Sequence, residues 1–256
     1  MRLTGIARFE QQPIEGGDAV GVQDVVVSFK GVRALDGVTA SLAPGEVLGI
    51  IGPNGSGKTT LLNVLSGFVK PDSGAVLHRG RDVTRLAPRQ LSRRGIGRTF
   101  QAVRLFKNLT VEENLVCAVL GHGATLRRAK ERSGELLDQL ELGPLGQTLA
   151  RALPYGDQRR VALARTLALR PSVLLLDEPA AGLNDAETDE LLGFIKAAQA
   201  DLRCSVMFVE HDMRVILQLC DRIQVLDSGK TIAVGTPEQI RHDPLVISAY
   251  LGSQAV

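Results

Sequence analysis

The sequence contains no tryptophan, and aromatic residues make up only 4% of its 256 residues. So few aromatic side chains argue against a platform on which single-stranded nucleic acid would stack its bases. Basic residues outnumber acidic ones by only two, 30 against 28, whereas nucleic-acid-binding domains are usually strongly basic. We therefore expect no nucleic-acid partner.

Cysteine and long apolar runs are scarce as well. The three cysteines, at positions 117, 204 and 220, show no CxxC spacing, so neither a zinc site nor a disulfide framework is indicated and we expect reduced thiols. No run approaches the roughly 20 apolar residues that a membrane-spanning helix needs. Residues 1–20 contain no apolar segment of the kind found in secretory signals. Any association with a membrane is expected to depend on a partner.

Positive charge is concentrated in one stretch. Residues 79–104 contain eight arginines and a single acid, Asp82. Such a stretch is typical of a solvated face whose counter-charges lie elsewhere in the fold. It would also suit a docking surface for another protein, and the sequence leaves both interpretations open.

Short apolar runs alternate with amphipathic segments along much of the chain. Strands are predicted at 20–29, 47–51, 173–176 and 206–209. A helix follows the second of these strands, with Leu61, Val64, Leu65 and Phe68 on one face, and further helices follow the last two strands. This alternation predicts an α/β fold with a parallel sheet.

Two regions depart from the alternation. Residues 105–168 lack strand patterns, and helices are predicted at 111–120, 125–140 and 158–169, so we interpret this region as a helical insertion. Residues 1–18 have the composition of a loose extension.

The end of the chain carries a helix-start pattern, Thr-Pro-Glu-Gln at 236–239. A second start follows at Asp243, and Ile247, Tyr250 and Leu251 would form the apolar face of the next helix. We predict a packed helical tail.

A phosphate-binding loop is the strongest local motif. Residues 52–59 match GxxxxGK[ST] at each fixed position, between a predicted buried strand and an amphipathic helix. The glycines let successive backbone N–H groups surround phosphate oxygens. Lys58 would reach the terminal phosphates, and Thr59 would bind Mg²⁺ through its hydroxyl. The pattern predicts a nucleoside triphosphate site rather than a glycine-rich turn that binds nothing. Its residues are Gly52, Pro53, Asn54, Gly55, Ser56, Gly57, Lys58 and Thr59.

Acidic residues follow another predicted buried strand. Asp177 would hold Mg²⁺, and Glu178 would orient or deprotonate a water molecule. His211 follows a third predicted strand and would join the same edge of the sheet, although a lone histidine is often a surface or capping residue.

A second candidate anion site lies at 153–160, where Leu-Pro-Tyr-Gly-Asp-Gln-Arg-Arg opens a predicted helix. Because the chain already has a phosphate loop, this site has no obvious use unless it serves the nucleotide of another copy. The sequence has no guanine-reading NKxD motif, which argues against a GTPase.

Six motifs, in this order, resemble those of an ATP-binding cassette (ABC) ATPase over about residues 20–235. They are GPNGSGKTT (52–60), Gln101, LPYGDQ (153–158), LLLDEP (174–179), AGLN (181–184) and His211. The segments RTFQAVRLFKNLTVEENL (98–115) and GTPEQIRHDPLVISAYLG (235–252) resemble, more narrowly, the importer ATPases of the branched-chain amino acid type.

The resemblance implies roles that spacing alone does not. Gln101 would bind Mg²⁺ or water, link the nucleotide to a membrane subunit and complete a catalytic set with Glu178 and His211. Phe29 would lie under the adenine, although it could equally be a core residue that continues the face of Val25. The further nucleotide-binding residues that the resemblance implies are Thr60 and, in the signature motif, Tyr155, Gly156, Asp157 and Gln158.

The resemblance also implies the architecture. We expect a P-loop NTPase (RecA-like) core of parallel strands with an antiparallel β subdomain and an inserted α-helical subdomain. The ABC ATPase domain would span 19–235, with its core at about 19–104 and 169–235 and the helical subdomain at about 105–168. A tail would follow at 236–256.

One position departs from the family pattern. Pro154 stands where the common signature LSGGQ has a serine, whose hydroxyl contacts the γ-phosphate. Proline also lacks an N–H group, so the dimer would depend more on Gly156 and the helix dipole. A weaker ATP-bound dimer is therefore expected.

The resemblance implies an ATP-hydrolysing subunit that drives membrane import of a small solute. Branched-chain or related amino acids are the leading candidates for that solute. Its cofactors would be ATP and Mg²⁺. Its partners would be an identical or similar ATPase, two integral-membrane permeases and, indirectly, a solute-binding protein. It would lie at the cytoplasmic face of the inner or plasma membrane. The alternatives are export of lipid or lipopolysaccharide and a soluble ABC ATPase not coupled to transport.

Overall fold

The computed structural model describes Gly17 and residues 19–252. The strands of this part of the chain are β1 (Val20–Phe29), β2 (Val32–Leu42), β3 (Val47–Ile51), β4 (Ser73–His78), β5 (Arg81–Asp82), β6 (Ile96–Arg98), β7 (Val173–Asp177), β8 (Ser205–Val209), β9 (Arg222–Asp227) and β10 (Lys230–Gly235). Its α-helices are α1 (Lys58–Leu65), α2 (Pro88–Arg93), α3 (Val111–Gly121), α4 (Leu126–Gln139), α5 (Tyr155–Leu167), α6 (Asp185–Leu202), α7 (Met213–Leu219), α8 (Pro237–Arg241) and α9 (Pro244–Gly252).

The larger sheet has six strands in the order β10-β9-β3-β8-β7-β6. Strands β9, β3, β8, β7 and β6 run parallel, and β10 joins the edge antiparallel to β9. Every residue of β3, β7 and β8 is buried, which explains why these strands appear in the sequence as continuous apolar runs. The prediction of a parallel sheet is confirmed.

Successive residues of the central strands enter two different hydrophobic cores. Leu174 and Leu176 of β7 pack with residues of α3 to α7, whereas Val173 and Leu175 pack with α1 and the smaller sheet. This alternation follows from the two-residue period of a strand. The central sheet is thus covered on both faces, and its polar residues concentrate at the strand ends.

The smaller sheet is antiparallel and has the order β2-β1-β4-β5. Val25 and Val27 of β1 are buried, but Phe29 is 48% exposed. A register irregularity between Val27 and Ser28 interrupts the alternation of faces before Phe29. The interpretation of Phe29 as a core residue is therefore wrong.

Helix α1 is shorter than its apolar pattern predicts. It ends at Leu65, and Gly67 then adopts a positive φ of 76°. A side chain at Gly67 would meet the carbonyl oxygen of Leu86 at 2.7 Å. Phe68 consequently leaves the helix face and is 52% exposed, so its assignment to the buried face is wrong.

Helical structure dominates between β6 and β7. Helix α3 begins with a capping box between Thr110 and Glu113. Helix α5 begins at Tyr155, three residues before the predicted start, because Pro154 occupies its N-cap position. There the missing N–H group costs no intrahelical hydrogen bond.

The tail contains α8 and α9. A capping box between Thr236 and Gln239 opens α8, as its sequence pattern predicts. In α9, Val246 is buried and Ile247 is 45% exposed, so the predicted apolar face is wrong at Ile247. The side chains of Tyr250 and Leu251 lie outside the described residues, as do the predictions for 1–16, 18 and 253–256. Among the described residues no helix has the length and apolar character needed to cross a bilayer.

Candidate functional site

The phosphate loop and the predicted catalytic set meet at one edge of the larger sheet. Strand β3 leads into the phosphate loop, and β7 ends at Asp177 with Glu178 next in the chain. Strand β8 is followed two residues later by His211, and β6 ends at Arg98, three residues before Gln101. Because these strands are parallel, their carboxyl ends lie together, which is where open α/β sheets bind ligands.

The phosphate loop, residues 52–59, has room for glycine alone at two positions. A Cβ at Gly52 would approach the carbonyl oxygen of Leu226 to 2.0 Å, and one at Gly57 would approach that of Ala34 to 2.5 Å. Gly57, with φ of 106°, is also the N-cap of α1 and provides no capping side chain. The loop and the start of α1 can therefore direct backbone N–H groups at an anion.

Lys58 lies across this loop. Its Nζ donates hydrogen bonds to the carbonyl oxygens of Gly52 at 2.8 Å and Pro53 at 2.9 Å. Burial lowers the pKa of Lys58, and the nearby charges of Glu178 and Asp177 oppose that shift. The lysine charge is thus held inside the loop, where a terminal phosphate would be bound.

Asp177 connects the phosphate loop to an arginine that the motif analysis did not single out. Its Oδ1 lies 3.4 Å from the Thr59 hydroxyl, which donates to it, and its Oδ2 accepts a hydrogen bond from Arg98 at 3.1 Å. The side chains of Asp177 and Arg98 are only 4% and 5% exposed. The sequence shows Arg98 as one of many arginines, and β6 is too short at three residues to mark it as a strand end.

Glu178 adopts a left-handed backbone conformation, with φ of 45°. Its N–H donates to the carbonyl oxygen of Val209 at 2.9 Å, which ties the turn after β7 to the end of β8. Its Oε2 accepts a hydrogen bond from Nε2 of Gln101 at 2.7 Å. The two residues are thus in contact, and the unfavourable φ is of the kind often found at functional sites.

His211 lies at this edge but points largely into solvent, with a side chain that is 62% exposed. Its neighbour Glu210 is almost fully buried and accepts hydrogen bonds from the N–H groups of Ala180 at 3.0 Å and His211 at 3.1 Å. Burial raises the pKa of Glu210. Asp212, not His211, caps α7.

Phe29 lies at the tip of the β1–β2 hairpin, opposite Val32. The same hairpin touches the phosphate loop, because Ala34 lies against Gly57. Phe29 therefore presents an exposed aromatic ring on a hairpin beside the loop.

The signature turn, residues 153–158, contacts a different part of the chain. Tyr155 is 46% exposed, and its hydroxyl accepts a hydrogen bond from Arg159 at 2.7 Å. Arg159 also donates to the carbonyl oxygen of Ala181 at 3.2 Å, and Gly156 lies against Glu187. The described contacts of this turn thus run to the segment after Glu178. Its other polar members also bond locally: Gln158 donates to the carbonyl oxygen of Leu153 and Asp157 pairs with Arg160.

The oxygen atoms at the loop fit magnesium. The hydroxyl of Thr59 and the carboxylate of Asp177 are oxygen donors of the type that Mg²⁺ prefers. Among the described residues no group of three or more histidine, cysteine or acidic side chains is placed to hold a metal by itself. This pattern suits Mg²⁺, which is usually bound by one or two protein ligands together with nucleotide phosphates.

Comparison with known proteins gives consistent similarities. Residues 35–181 match the ABC transporter family, and residues 230–256 match the branched-chain amino acid ATP-binding cassette transporter family. The chain is 41% identical over 248 residues to the high-affinity branched-chain amino acid transport ATP-binding protein LivG of Escherichia coli K12, covering 91% of this chain and 97% of LivG. It is 34% identical over 236 residues to the lipopolysaccharide export system ATP-binding protein LptB of Haemophilus influenzae, covering 91% and 96%.

Solved structures agree in fold. The ADP conformation of MJ1267, an ATP-binding cassette of an ABC transporter, is 31% identical and superposes with a TM-score of 0.83, covering 92% of this chain and 99% of MJ1267. A dimeric post-hydrolysis state of the ATP-binding cassette MJ0796, bound to ADP and phosphate, is 28% identical with a TM-score of 0.76, covering 85% and 98%.

Proposed function

The chain is an ATP-hydrolysing member of the ABC transporter family, and we propose that it powers the import of branched-chain or closely related amino acids. The observation that carries the ATPase mechanism is the meeting of the phosphate loop, Asp177 and the Gln101–Glu178 pair at one sheet edge. The solute class is inferred from the similarity to LivG and from the family match at residues 230–256.

The phosphate loop would bind the triphosphate of ATP. Backbone N–H groups of the loop and the start of α1 would surround the phosphate oxygens. Lys58 would exchange its hydrogen bonds with Gly52 and Pro53 for bonds to terminal phosphate oxygens, keeping its positive charge in the same place. The loop is thus ready for an anion, because the countercharge is already buried there.

Magnesium would be held by Thr59, Asp177 and Gln101. When bound, it would neutralise charge on the phosphates that hydrolysis transfers. The chain contributes oxygen donors whose positions are fixed beforehand, since Asp177 is held from its far side by Arg98.

Glu178 would act as the general base for the attacking water. Its hydrogen bond with Gln101 orients the carboxylate, and its bond to Val209 fixes the turn on which it stands. His211 would approach the terminal phosphate from the end of β8. Its present exposure leaves room for that movement.

Hydrolysis would require a second cassette, identical or similar. The signature turn would contact the nucleotide on the phosphate loop of the partner, through Gly156 and the start of α5. Pro154 provides neither a hydroxyl nor an N–H group, so the closed pair would be weaker than one built with LSGGQ.

The arginine-rich stretch would face the membrane subunits. Its last part forms one wall of an open groove, together with residues of α3 and α5; the groove includes Phe100, Arg104, Phe106, Cys117 and Arg165. A groove with one exposed ring, that of Phe106, and guanidinium groups would suit a segment of a permease. The chain would then lie at the cytoplasmic face of the membrane, with two permeases and, indirectly, a solute-binding protein.

Reconstitution tests this proposal. The chain would be co-purified with candidate permeases and placed in vesicles with ATP on its own side. We expect uptake of leucine, isoleucine or valine that depends on ATP and on a solute-binding protein. ATP hydrolysis that drives no amino-acid uptake would contradict it.

Export is the second candidate, favoured by the 34% identity to LptB. Co-purification with lipopolysaccharide-export membrane subunits, together with lipid extraction from vesicles, would support it in place of import.

A further inference from the structure

Arg98 occupies a buried position between the nucleotide edge and the groove. Its Nη2 donates to Oδ2 of Asp177 at 3.1 Å, while Oδ1 of the same carboxylate lies beside the Thr59 hydroxyl. Arg98 therefore holds the oxygen of Asp177 that does not face Thr59. The pair is almost fully enclosed, so solvent screens it little.

Two further groups fix this guanidinium from α1 and the turn that follows it. Nη1 of Arg98 donates to Oδ1 of Asn63 at 2.8 Å and to the hydroxyl of Ser66 at 2.7 Å. Asn63 lies on the helix that begins at the phosphate loop, and Ser66 caps the end of that helix. The arginine thus ties the end of β7 to that helix as well as to β6.

Aromatic rings pack against the same guanidinium. Its carbon lies 5.0 Å from the ring centre of Phe100 and 5.7 Å from that of Phe68, and the two rings meet edge to face. Phe100 lines the groove, and Arg104 lies over its ring at 4.3 Å. A planar guanidinium suits these contacts better than an ammonium group would.

We propose that Arg98 is a positioning residue for the magnesium ligand Asp177, setting the direction in which its carboxylate presents Oδ1 to the metal. This inference rests on the proposed binding of MgATP at the phosphate loop. Hydrogen bonds to the far side of a ligand commonly strengthen metal binding by fixing the ligand's orientation. The contact with Phe100 extends the link from Asp177 to the wall of the groove.

Substitution of Arg98 tests this role by separating metal affinity from nucleotide affinity. Arg98→Met keeps a long side chain but removes the hydrogen bond to Asp177 together with those to Asn63 and Ser66, and Arg98→Lys keeps the charge but not the planar group. ADP affinity is measured by calorimetry with Mg²⁺ and again with EDTA, and Mn²⁺ binding by electron paramagnetic resonance gives a readout independent of turnover.

We expect Arg98→Met to weaken metal binding about tenfold in the presence of ADP and to leave ADP affinity in EDTA within about twofold. The metal affinity of Arg98→Lys should lie between those of Arg98→Met and the wild type. In steady-state hydrolysis the half-saturating Mg²⁺ concentration should rise. An unchanged or higher metal affinity in Arg98→Met would overturn the proposal.

Arg222→Met provides the matched control. Arg222 also forms a short ion pair, at 2.7 Å to Glu46, but at the opposite ends of the strands. Its loss should lower thermal stability without changing the Mg²⁺ dependence. A wild-type protein that binds no ADP or Mn²⁺ would instead refute the proposed function, so the two failures are distinguishable.

Discussion

The phosphate loop edge and the signature turn differ in how their polar groups are used. At the edge, Lys58, Asp177 and Glu178 all have partners within the chain that hold them close to the phosphate loop. At the signature turn, the polar side chains bond to residues of the same turn and helix, the half-exposed Tyr155 stands at the first turn of α5, and Gly156 beside it is buried. The edge therefore joins side chains from several strands, whereas the signature turn is held by its own neighbours and leaves half of Tyr155 exposed.

On the proposed function, one chain would contain a nucleotide-binding half and a separate half that completes the site of a partner. Within one protomer, the signature turn touches the segment after Glu178 through the hydrogen bond from Arg159 to the carbonyl oxygen of Ala181, and it does not touch the phosphate loop among the contacts described above. Variants at the edge should therefore affect a single chain, whereas variants at the turn should affect only the closed pair.

The largest expected effect is at Glu178. Glu178→Gln removes the base but keeps the shape of the side chain, so kcat should fall about 10²–10⁴-fold, or about 3–5 kcal/mol of barrier, with ATP binding retained. Steady-state hydrolysis measures this, and Glu135→Gln on the exposed side of α4 is the control. A Glu178→Gln protein that hydrolyses ATP at the wild-type rate would contradict the role of Glu178 as the general base.

Lys58→Ala should come next. Loss of the charge in the loop should lower ATP affinity about 100-fold, or about 2.7 kcal/mol, by calorimetry. Lys70→Ala, which removes an exposed lysine outside the loop, should bind ATP with the affinity of the wild type. If the ATP affinity of Lys58→Ala were within twofold of the wild-type value, residues 52–59 would not be the triphosphate site.

A charge added at the signature turn tests whether this turn acts only in the closed pair. Gly156→Asp adds a carboxylate to the first turn of α5, beside Glu187 of the same chain and at the helix end that would meet the partner's phosphates. Negative charge at that helix end opposes anion binding, so ATP turnover should fall about 10–100-fold while ADP binding to the single chain stays within about twofold. Gly134→Asp, on α4 with open space around it, is the control of equal charge. If ADP binding in Gly156→Asp fell by as much as ATP turnover, the signature turn would not be separate from the nucleotide-binding half of the chain.

His211→Ala should lower kcat about tenfold with nucleotide affinity almost unchanged, because the histidine is exposed and would engage only in the closed state. His242→Ala, which removes another exposed histidine paired with a glutamate, should have no effect. If the rate of ATP hydrolysis were unchanged in His211→Ala, His211 would be a surface residue with no part in catalysis.

The smallest effect is expected at Phe29. Phe29→Ala should weaken ATP binding about fivefold, since stacking of a base on an aromatic ring contributes about 1 kcal/mol or more. Val32→Ala, at the neighbouring exposed position of the hairpin, serves as the control in the same titration. A Phe29→Ala protein with wild-type affinity would place the adenine elsewhere.

The apolar runs predict the buried strands β3, β7 and β8, but they do not predict β9, whose four interior residues are buried as well. Asp177 and Glu178 were predictable because β7 is a continuous apolar run followed by acids at a known sheet edge. Gln101 was identified only through family resemblance, since it stands in a loop without a local pattern. Arg98 was missed because β6 has three residues and its partner Asp177 is 79 positions away.

Packing explains why two residues that the sequence places on the buried face of a helix are exposed. Phe68 was placed on a helix face that ends three residues earlier, where Gly67 must adopt a positive φ beside Leu86. In α9, Val246 is buried and the next residue, Ile247, is exposed, so the buried face of the helix does not include Ile247. Such phases depend on neighbouring elements, which local sequence does not specify.

Light scattering of Glu178→Gln after size exclusion, with and without MgATP, shows whether two chains enclose the nucleotide. We expect twice the mass of one chain with MgATP, the mass of one chain without it, and the mass of one chain for the Glu178→Gln, Gly156→Asp double variant even with MgATP. A single-chain mass for Glu178→Gln saturated with MgATP would contradict this arrangement.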